Sequence, residues 1–252
     1  MNNTFVNGLA VLETLALAER PRGVTELADE LGLAKSQVHR LLQTLIERGY
    51  VRQDPDTGRY SCTLKMWEYG GLVADRIDVR HIAGPHLQKL AESTSETVHM
   101  SVLDGFEALY IEKIDSPQPV RAYSRIGGRA PAYAVATGKA QLAYSPTKLV
   151  ESIKLERHTP RTIATLDDLR RELERIREQG YAVNRGEWNA SVCGLAVPIF
   201  GSNRRLVAAI GISGPLERLS PGVLRDFAPV VVDIGRAVSR ELGFHGQPAP
   251  VE

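Results

Sequence analysis

Residues 23–62 decide the fold, and they read GVTELADELGLAKSQVHRLLQTLIERGYVRQDPDTGRYSC. Two short amphipathic segments flank a turn at Gly32, and this pattern predicts a helix-turn-helix. Gly32 stands where a left-handed residue commonly ends a helix, and we expect Thr25 to cap the first helix. The second helix is predicted from about Lys35 to Arg48. Its apolar side chains recur at the spacing of one helix face: Val38, Leu41, Leu42, Leu45 and Ile46.

The opposite face of the second helix carries the polar groups expected of a DNA-recognition helix. Ser36 and Gln37 are uncharged hydrogen-bonding groups that suit base edges, and Arg40 suits guanine or phosphate. The candidate DNA-binding residues of the two helices are Thr25, Lys35, Ser36, Gln37, His39, Arg40 and Thr44.

A turn-forming sequence follows the second helix and predicts a β-hairpin. Residues 54–58, DPDTG, separate two short strands at 50–53 and 59–62. This hairpin is interpreted as a wing, on which Arg52 and Arg59 bind phosphates or the minor groove. Its presence favours a DNA-binding domain over the alternative, a small helical subdomain with a solvated polar face.

The charge of the chain is local rather than global. The 252 residues carry a net charge of only +1, but residues 32–66 contain six Lys or Arg against three acids. Such a modest basic surface predicts that two or more copies act together on double-stranded DNA, with two recognition helices on the half-sites of a pseudo-palindromic operator. The two cysteines, Cys62 and Cys193, fit a reducing cytoplasm. We expect no disulfide framework, metal site, signal peptide or membrane span.

The rest of the chain predicts a larger α+β domain after a connecting helix. An apolar first helix holds Phe5, Leu9, Leu12, Leu15 and Ala16. Residues 64–77 are helix-compatible with a weak point at Gly70-Gly71, and their large apolar groups suit either a partner copy or the core of the same chain. Helices are then predicted at 78–94, near 137, at 166–179 and at 223–242. Strands are predicted at 97–103, 106–114, 181–184, 194–200 and 205–213, with an extension of the sheet at 120–123.

Three long motifs resemble the IclR family of bacterial transcription regulators. They are ELADELGLAKSQVHRLLQTLIERGYV, RIGGRAPAYAVATGKAQLA and GLAVPIFGSNRRLVAAIGISGP, in the family's order and spacing. The resemblance implies a winged helix-turn-helix at 1–63, a linker helix at 64–78 and a GAF-like effector-binding domain at 79–252. It also implies a homodimer or homotetramer, no catalytic residues and no cofactor.

The same resemblance implies where an effector binds. The family's pocket maps onto the amides of Ala136 and Thr137 and onto Asn184, Gly194, Gly211 and Ser213. Asn184 replaces a frequent acid, Gly194 a cysteine and Gly211 a serine. These losses are expected to enlarge the site and to favour a bulkier or more apolar ligand than a small keto acid.

An organic acid, either a carboxylate or an aromatic acid, is the predicted effector because the free amides at a helix start favour anions. Tyr133 and Trp188 are assigned as pocket walls, with plain core packing as the alternative. Cys193 is assigned beside the pocket, either as a packed thiol or as a redox sensor. Two other classes remain open at this point: an enzyme whose helix-turn-helix makes only protein contacts, and a DNA-binding scaffold without a ligand.

Overall fold

The computed structural model describes residues 3–75, 78–122 and 124–249. The chain divides into two compact units, Met1–Arg76 and Ile77–Glu252. The domain boundaries at 63 and 78 remain predictions, and Arg76 and Ile77 of the predicted linker lie outside the described residues.

The N-terminal unit is a helix-turn-helix followed by a two-stranded wing and a helix. Its elements are α1 Asn3–Leu17, α2 Val24–Leu31, α3 Lys35–Glu47, β1 Val51–Gln53, β2 Tyr60–Cys62 and α4 Lys65–Asp75. Gly32 adopts the left-handed conformation that ends α2, at φ 63°. The predicted stripe of α3 faces a core in which Val38 and Leu42 are fully buried against Val11 of α1 and Tyr60 of β2.

Two predicted details of this unit are wrong. Thr25 does not cap α2, because Gly23 is the N-cap residue and its amide donates to Glu26 Oε2 at 2.9 Å. In α1, Phe5 is 66% exposed, while Val11 and Leu15 form the buried face. As expected of a helix-compatible segment, α4 is continuous through the predicted weak point at Gly70-Gly71 and ends at Asp75.

The C-terminal unit is an antiparallel sheet covered by helices on both faces. Its helices are α5 Asp78–Thr94, α6 Ala136–Leu142, α7 Thr147–Glu151, α8 Leu166–Gln179 and α9 Pro221–Glu241, with a 3-10 turn at Ala132–Ala134. Its strands are β3 Thr97–Asp104, β4 Glu107–Ile114, β5 Arg129–Pro131, β6 Ala182–Arg185, β7 Val192–Phe200 and β8 Leu206–Pro215. In the described residues they form one sheet in the order β5-β4-β3-β8-β7-β6.

The sheet separates two apolar cores. On one face, α5 and α9 cover Val98, Met100, Leu195 and Ile210. On the other, which we call the α6 face, α6 and α8 cover small residues such as Ala196 and Ala209. Because successive residues of a strand point to opposite faces, strand position alone decides which core each side chain joins.

The predicted sheet extension at 120–123 is wrong. Residues 120–122 form no strand, and Tyr123 lies outside the described residues. The edge strand is β5 instead, whose Pro131 is paired with Glu107 of β4. A proline is tolerated there because an edge strand leaves one row of amides unpaired. The α+β fold class, with its N-terminal winged helix-turn-helix, is confirmed.

Candidate functional sites: the recognition helix and the α6 face

The exposed face of α3 presents polar side chains that are free to bind a partner. Within the described part of the chain, five of them make no side-chain hydrogen bond or ion pair: Lys35, Ser36, Gln37, His39 and Arg40. Thr44 differs, because its hydroxyl donates to the Arg40 carbonyl at 3.1 Å. The start of α3 also carries no side-chain cap, since Ala34 is its N-cap residue. This leaves both amide donors and side chains for phosphates and base edges.

The two wing arginines differ in their surroundings. Arg59 Nη1 donates to the Pro21 carbonyl and to Glu26 Oε2, both at 3.0 Å. Arg52 is exposed, and its Nε donates to the Ser61 hydroxyl at 3.3 Å. The hydrogen bonds from Thr57 and Asp56, and next the Arg52 charge, lower the pKa of Asp54. The Gly23 amide, and next the Arg59 and Arg20 charges, lower the pKa of Glu26. Arg59 therefore joins the wing to α2, whereas the Arg52 guanidinium remains exposed.

Most predicted effector residues lie together on the α6 face. Ala136 and Thr137 begin α6, and an added methyl group on Gly194 would lie 3.8 Å from the Ala136 side chain. Strand pairing places Gly194 opposite Ser213 of β8, and Asn184 of β6 opposite Gly194. The sheet thus assembles residues that are far apart in sequence.

A buried polar cluster that the sequence analysis missed adjoins these residues. His99 of β3 lies with its Nε2 2.6 Å from the Ser213 hydroxyl and its Nδ1 3.3 Å from the Ser124 hydroxyl. Burial, with a smaller contribution from Lys113, lowers the pKa of His99 to about 4, although Asp115 opposes this shift. The imidazole is therefore neutral at physiological pH and acts as one donor and one acceptor.

Thr137 and Tyr110 add hydroxyl groups beside this cluster. Thr137 Oγ1 is buried without a well-formed hydrogen bond, although it lies close enough to the Tyr110 hydroxyl to interact with it. Burial raises the pKa of Tyr110 to about 12, so the phenol remains a donor. A buried hydroxyl without a good partner is costly, and a ligand acceptor would satisfy it.

The glycines of this face do not create the expected space. A methyl group on Gly211 would lie 2.4 Å from the Leu195 carbonyl oxygen and 2.6 Å from the Ala196 side chain. At Gly194 it would lie 2.8 Å from the Ile212 carbonyl oxygen. The expectation of an enlarged site is wrong at these positions, because both glycines permit close strand packing.

Of the remaining predicted effector residues, Tyr133 belongs to the core of the α6 face, whereas Cys193 and Trp188 lie elsewhere. Cys193 joins the core beneath α5 and α9, on the face of the sheet opposite Gly194, and burial raises the pKa of its thiol. Trp188 is 40% exposed in the loop after β6. The Tyr133 hydroxyl accepts the Glu156 amide at 2.9 Å and lies 3.0 Å from His158 Nε2. Tyr133 therefore fastens the segment before α8.

Asn184 and Lys139 hold the edge of the α6 face. Asn184 Oδ1 accepts the Glu187 amide at 2.9 Å. The buried Lys139 ammonium lies 2.6 Å from Glu187 Oε2 and donates to the Val183 carbonyl at 2.7 Å. Burial raises the pKa of Glu187, and the Lys139 charge opposes that shift. Lys139, the lysine of the sequence TGKA at 137–140, therefore links α6 to β6 and the loop that follows it.

The described residues contain no helix long and apolar enough to cross a membrane. They also contain no group of three or more His, Cys, Asp or Glu placed to hold a metal ion.

Comparison with known proteins agrees with both halves of the chain. Residues 4–55 match the IclR helix-turn-helix domain, and residues 71–240 match the bacterial transcriptional regulator IclR C-terminal domain. The regulator KdgR of Escherichia coli strain K12 is 36% identical over 234 residues, which are 91% of this chain and 89% of KdgR.

Two solved structures are similar over nearly the whole chain. The IclR protein of Thermotoga maritima has a TM-score of 0.83 at 33% identity, covering 97% of this chain and 100% of that protein. An IclR homolog from Microbacterium hydrocarbonoxydans, solved in complex with 4-hydroxybenzoate, has a TM-score of 0.81 at 24% identity and supports the fold alone. It covers 95% of this chain and 99% of its own.

The family consists of transcription regulators, so the alternative of an enzyme is set aside. The two matched ranges include α3 and the α6 face. This chain belongs to the IclR family of bacterial transcription regulators, with a helix-turn-helix domain and an effector-binding domain.

Proposed function

We propose that two copies of this regulator bind a pseudo-palindromic operator, with α3 of each copy in the major groove, and that an organic acid bound on the α6 face alters that binding. The genes under control are those for catabolism of the acid or its precursor. The observation that carries the DNA-binding part is the set of five polar side chains on α3 without an internal partner. Arg40 is central among them, since a guanidinium binds guanine through two parallel hydrogen bonds.

The acid part of the proposal is supported by donors that converge on the α6 face. Val135, the N-cap residue of α6, cannot cap the helix through its side chain, so the first amides of α6 keep no side-chain acceptor. The Thr137 and Tyr110 hydroxyl groups lie nearby, and His99 and Ser213 complete a polar lining. Donors without acceptors suit a carboxylate, and Tyr110 gives an aromatic acid a ring to pack against. The 4-hydroxybenzoate bound by the Microbacterium homolog is a ligand of this class.

The DNA-binding part is tested with operator fragments selected from genomic DNA by the purified protein. Arg40→Ala is expected to abolish the sequence-specific footprint, and Arg40→Lys to weaken it by roughly tenfold or more, because lysine cannot make the paired contact. Arg171→Ala, which removes an exposed arginine from α8, is the matched control and should footprint like the wild type. A normal footprint from Arg40→Ala would contradict the assignment of α3 as the helix that reads the operator.

The effector part is tested by thermal unfolding of the full chain with aliphatic and aromatic carboxylates and with the matching amides. A ligand that binds only the native state raises the melting temperature. We expect a rise with at least one acid, a smaller rise with its amide, and loss of the rise in Ser213→Ala. No rise across the panel would favour a DNA-binding scaffold that lacks an acid effector.

A further inference from the structure

A cleft lies in the C-terminal unit, between α9, the end of β7 and the tail that follows α9. Its volume is about 420 Å³, which is within the range of roughly 300–1,000 Å³ typical of small-molecule sites. None of the predicted effector residues lines it. The cleft is therefore distinct from the α6-face site.

One side of the cleft is a row of aromatic rings. The Tyr144 and Phe200 rings meet edge to face with their centroids 4.9 Å apart, and Phe200 and Phe244 stack at 5.0 Å. The Phe200 amide donates to the Ser239 hydroxyl at 3.1 Å, which fixes this part of β7 to α9. Such a row offers ring faces and edges to a planar apolar group.

Two arginines also line the cleft. Arg236 and Arg240 lie one turn apart on α9 and both line the cleft, as does His245. Among the described lining residues none is acidic. The nearby acid Glu241 is engaged with His86 at 2.8 Å.

The two arginines are available to a ligand. Arg236 lies 3.8 Å from Asp233, with both side chains mostly exposed, and such a pair is weak. The Arg240 side chain makes no hydrogen bond or ion pair with the described residues. Two guanidinium groups without a strong partner, both lining the same cleft, suit a carboxylate ligand.

Tail residues between 244 and 248 also line the cleft, and this tail is bound to the turn between β7 and β8. Arg204 in that turn has a left-handed backbone, at φ 62°. Its Nε donates to the Gln247 carbonyl at 2.6 Å, and its own carbonyl accepts the Ala249 amide at 3.0 Å. The match to the family's C-terminal domain ends at residue 240, so this tail lies beyond the part of the chain that the family pattern describes.

We propose that this cleft is a second ligand site, specific for an aromatic carboxylate. The ring packs against Phe200 and Phe244, and the carboxylate binds Arg236 and Arg240. The proposal does not depend on the α6-face site, because the two sites share no residue.

The test uses the full-length protein and 4-fluorobenzoate, observed by fluorine NMR, with 4-fluorobenzamide as the neutral control. The expected result is saturable binding of the acid and at least tenfold weaker binding of the amide. Replacing both arginines, Arg236→Gln with Arg240→Gln, should weaken acid binding by roughly tenfold or more, as loss of charged hydrogen bonds does. Arg225→Gln, an exposed arginine near the start of α9, is the matched control.

Two further variants locate the bound acid. Phe244→Leu should weaken binding by removing a ring, even if the double arginine variant fails to fold. Because 4-fluorobenzoate also belongs to the ligand class proposed for the α6 face, the arginine and Phe244 replacements are also compared in a Thr137→Val background, where binding at the cleft should persist. The proposal is overturned if 4-fluorobenzoate does not bind, if acid and amide bind equally, or if binding is lost in Thr137→Val but retained in both the arginine and Phe244 variants.

Discussion

The Lys139 ammonium lies 2.6 Å from Glu187 Oε2, and the two side chains are only 1% and 10% exposed. A second carboxylate, Glu172 of α8, lies 3.1 Å from the same ammonium. One lysine thus joins α6 to α8 and to the loop after β6. Lys139 lies on the same short helix as the predicted effector residues Ala136 and Thr137, so its contacts help to fix the position of that helix.

Removing this lysine alone should be costly. Lys139→Met leaves the buried Glu187 carboxylate without its cation, whereas Glu172 keeps its pairing with Arg175, and loss of one partner of a buried pair typically costs about 3–5 kcal/mol of unfolding free energy. Combining it with Glu187→Gln should recover part of that loss, because the added substitution removes one unpaired charge. Urea unfolding of the full chain measures both. An unfolding free energy of Lys139→Met within about 1 kcal/mol of the wild type, the range of exposed pairs, would contradict this account.

Acid should destabilise the protein through His99. Its pKa is about 4 in the folded chain, against about 6.5 when unfolded. The unfolded state therefore binds more protons between these values, so this contribution is present above about pH 6.5 and is lost as the pH falls towards 4. The expected loss is about 2 kcal/mol at roughly pH 5 relative to neutral pH.

His99→Gln isolates that contribution, because glutamine keeps a donor and an acceptor but does not titrate. Urea unfolding at neutral pH and near pH 5 should show a smaller pH dependence for the variant than for the wild type. Equal pH dependence in the two proteins would mean that the imidazole is not held neutral by burial.

The two wing arginines should separate DNA binding from folding. Arg52→Ala is expected to weaken operator binding and to lower the salt slope by about one phosphate contact, with little change in the urea midpoint. Arg59→Ala should lower the urea midpoint, because it removes the contacts with Pro21 and Glu26. Binding titrations at several salt concentrations and unfolding of both variants test this difference. The reverse pattern would make Arg59 the phosphate contact.

Two glycines should respond to alanine in opposite directions. Gly211→Ala places a methyl group 2.4 Å from the Leu195 carbonyl oxygen, and such overpacking costs about 1–3 kcal/mol. Gly70→Ala meets no atom within 4 Å in the middle of α4 and should stabilise that helix by roughly 0.5–1 kcal/mol. Thermal and urea unfolding of the two variants provide the comparison. A tolerated Gly211→Ala would show that β7 and β8 can separate to make room.

The sequence by itself determined the winged helix-turn-helix and the exposed face of α3. These features depend on neighbouring residues: the spacing from Val38 to Leu42, a left-handed Gly32 and the turn Asp54–Gly58. The same local logic located α5, α8, α9 and the longer strands. The local patterns were wrong at residues 120–122, because β5 forms the edge of the sheet instead. They were also wrong at Thr25, because the Glu26 carboxylate accepts the Gly23 amide at the start of α2.

Only the tertiary structure decided which distant groups meet. His99 contacts Ser213 because β3 pairs with β8, across 114 residues of sequence. Cys193 and Gly194 are adjacent in the chain but belong to opposite faces of the sheet. Lys139 is buried because α8 and the β6 loop supply its carboxylates. Periodicity identifies the elements, since it acts within a few residues, but strand order and the faces that pack together follow from burial of the whole chain.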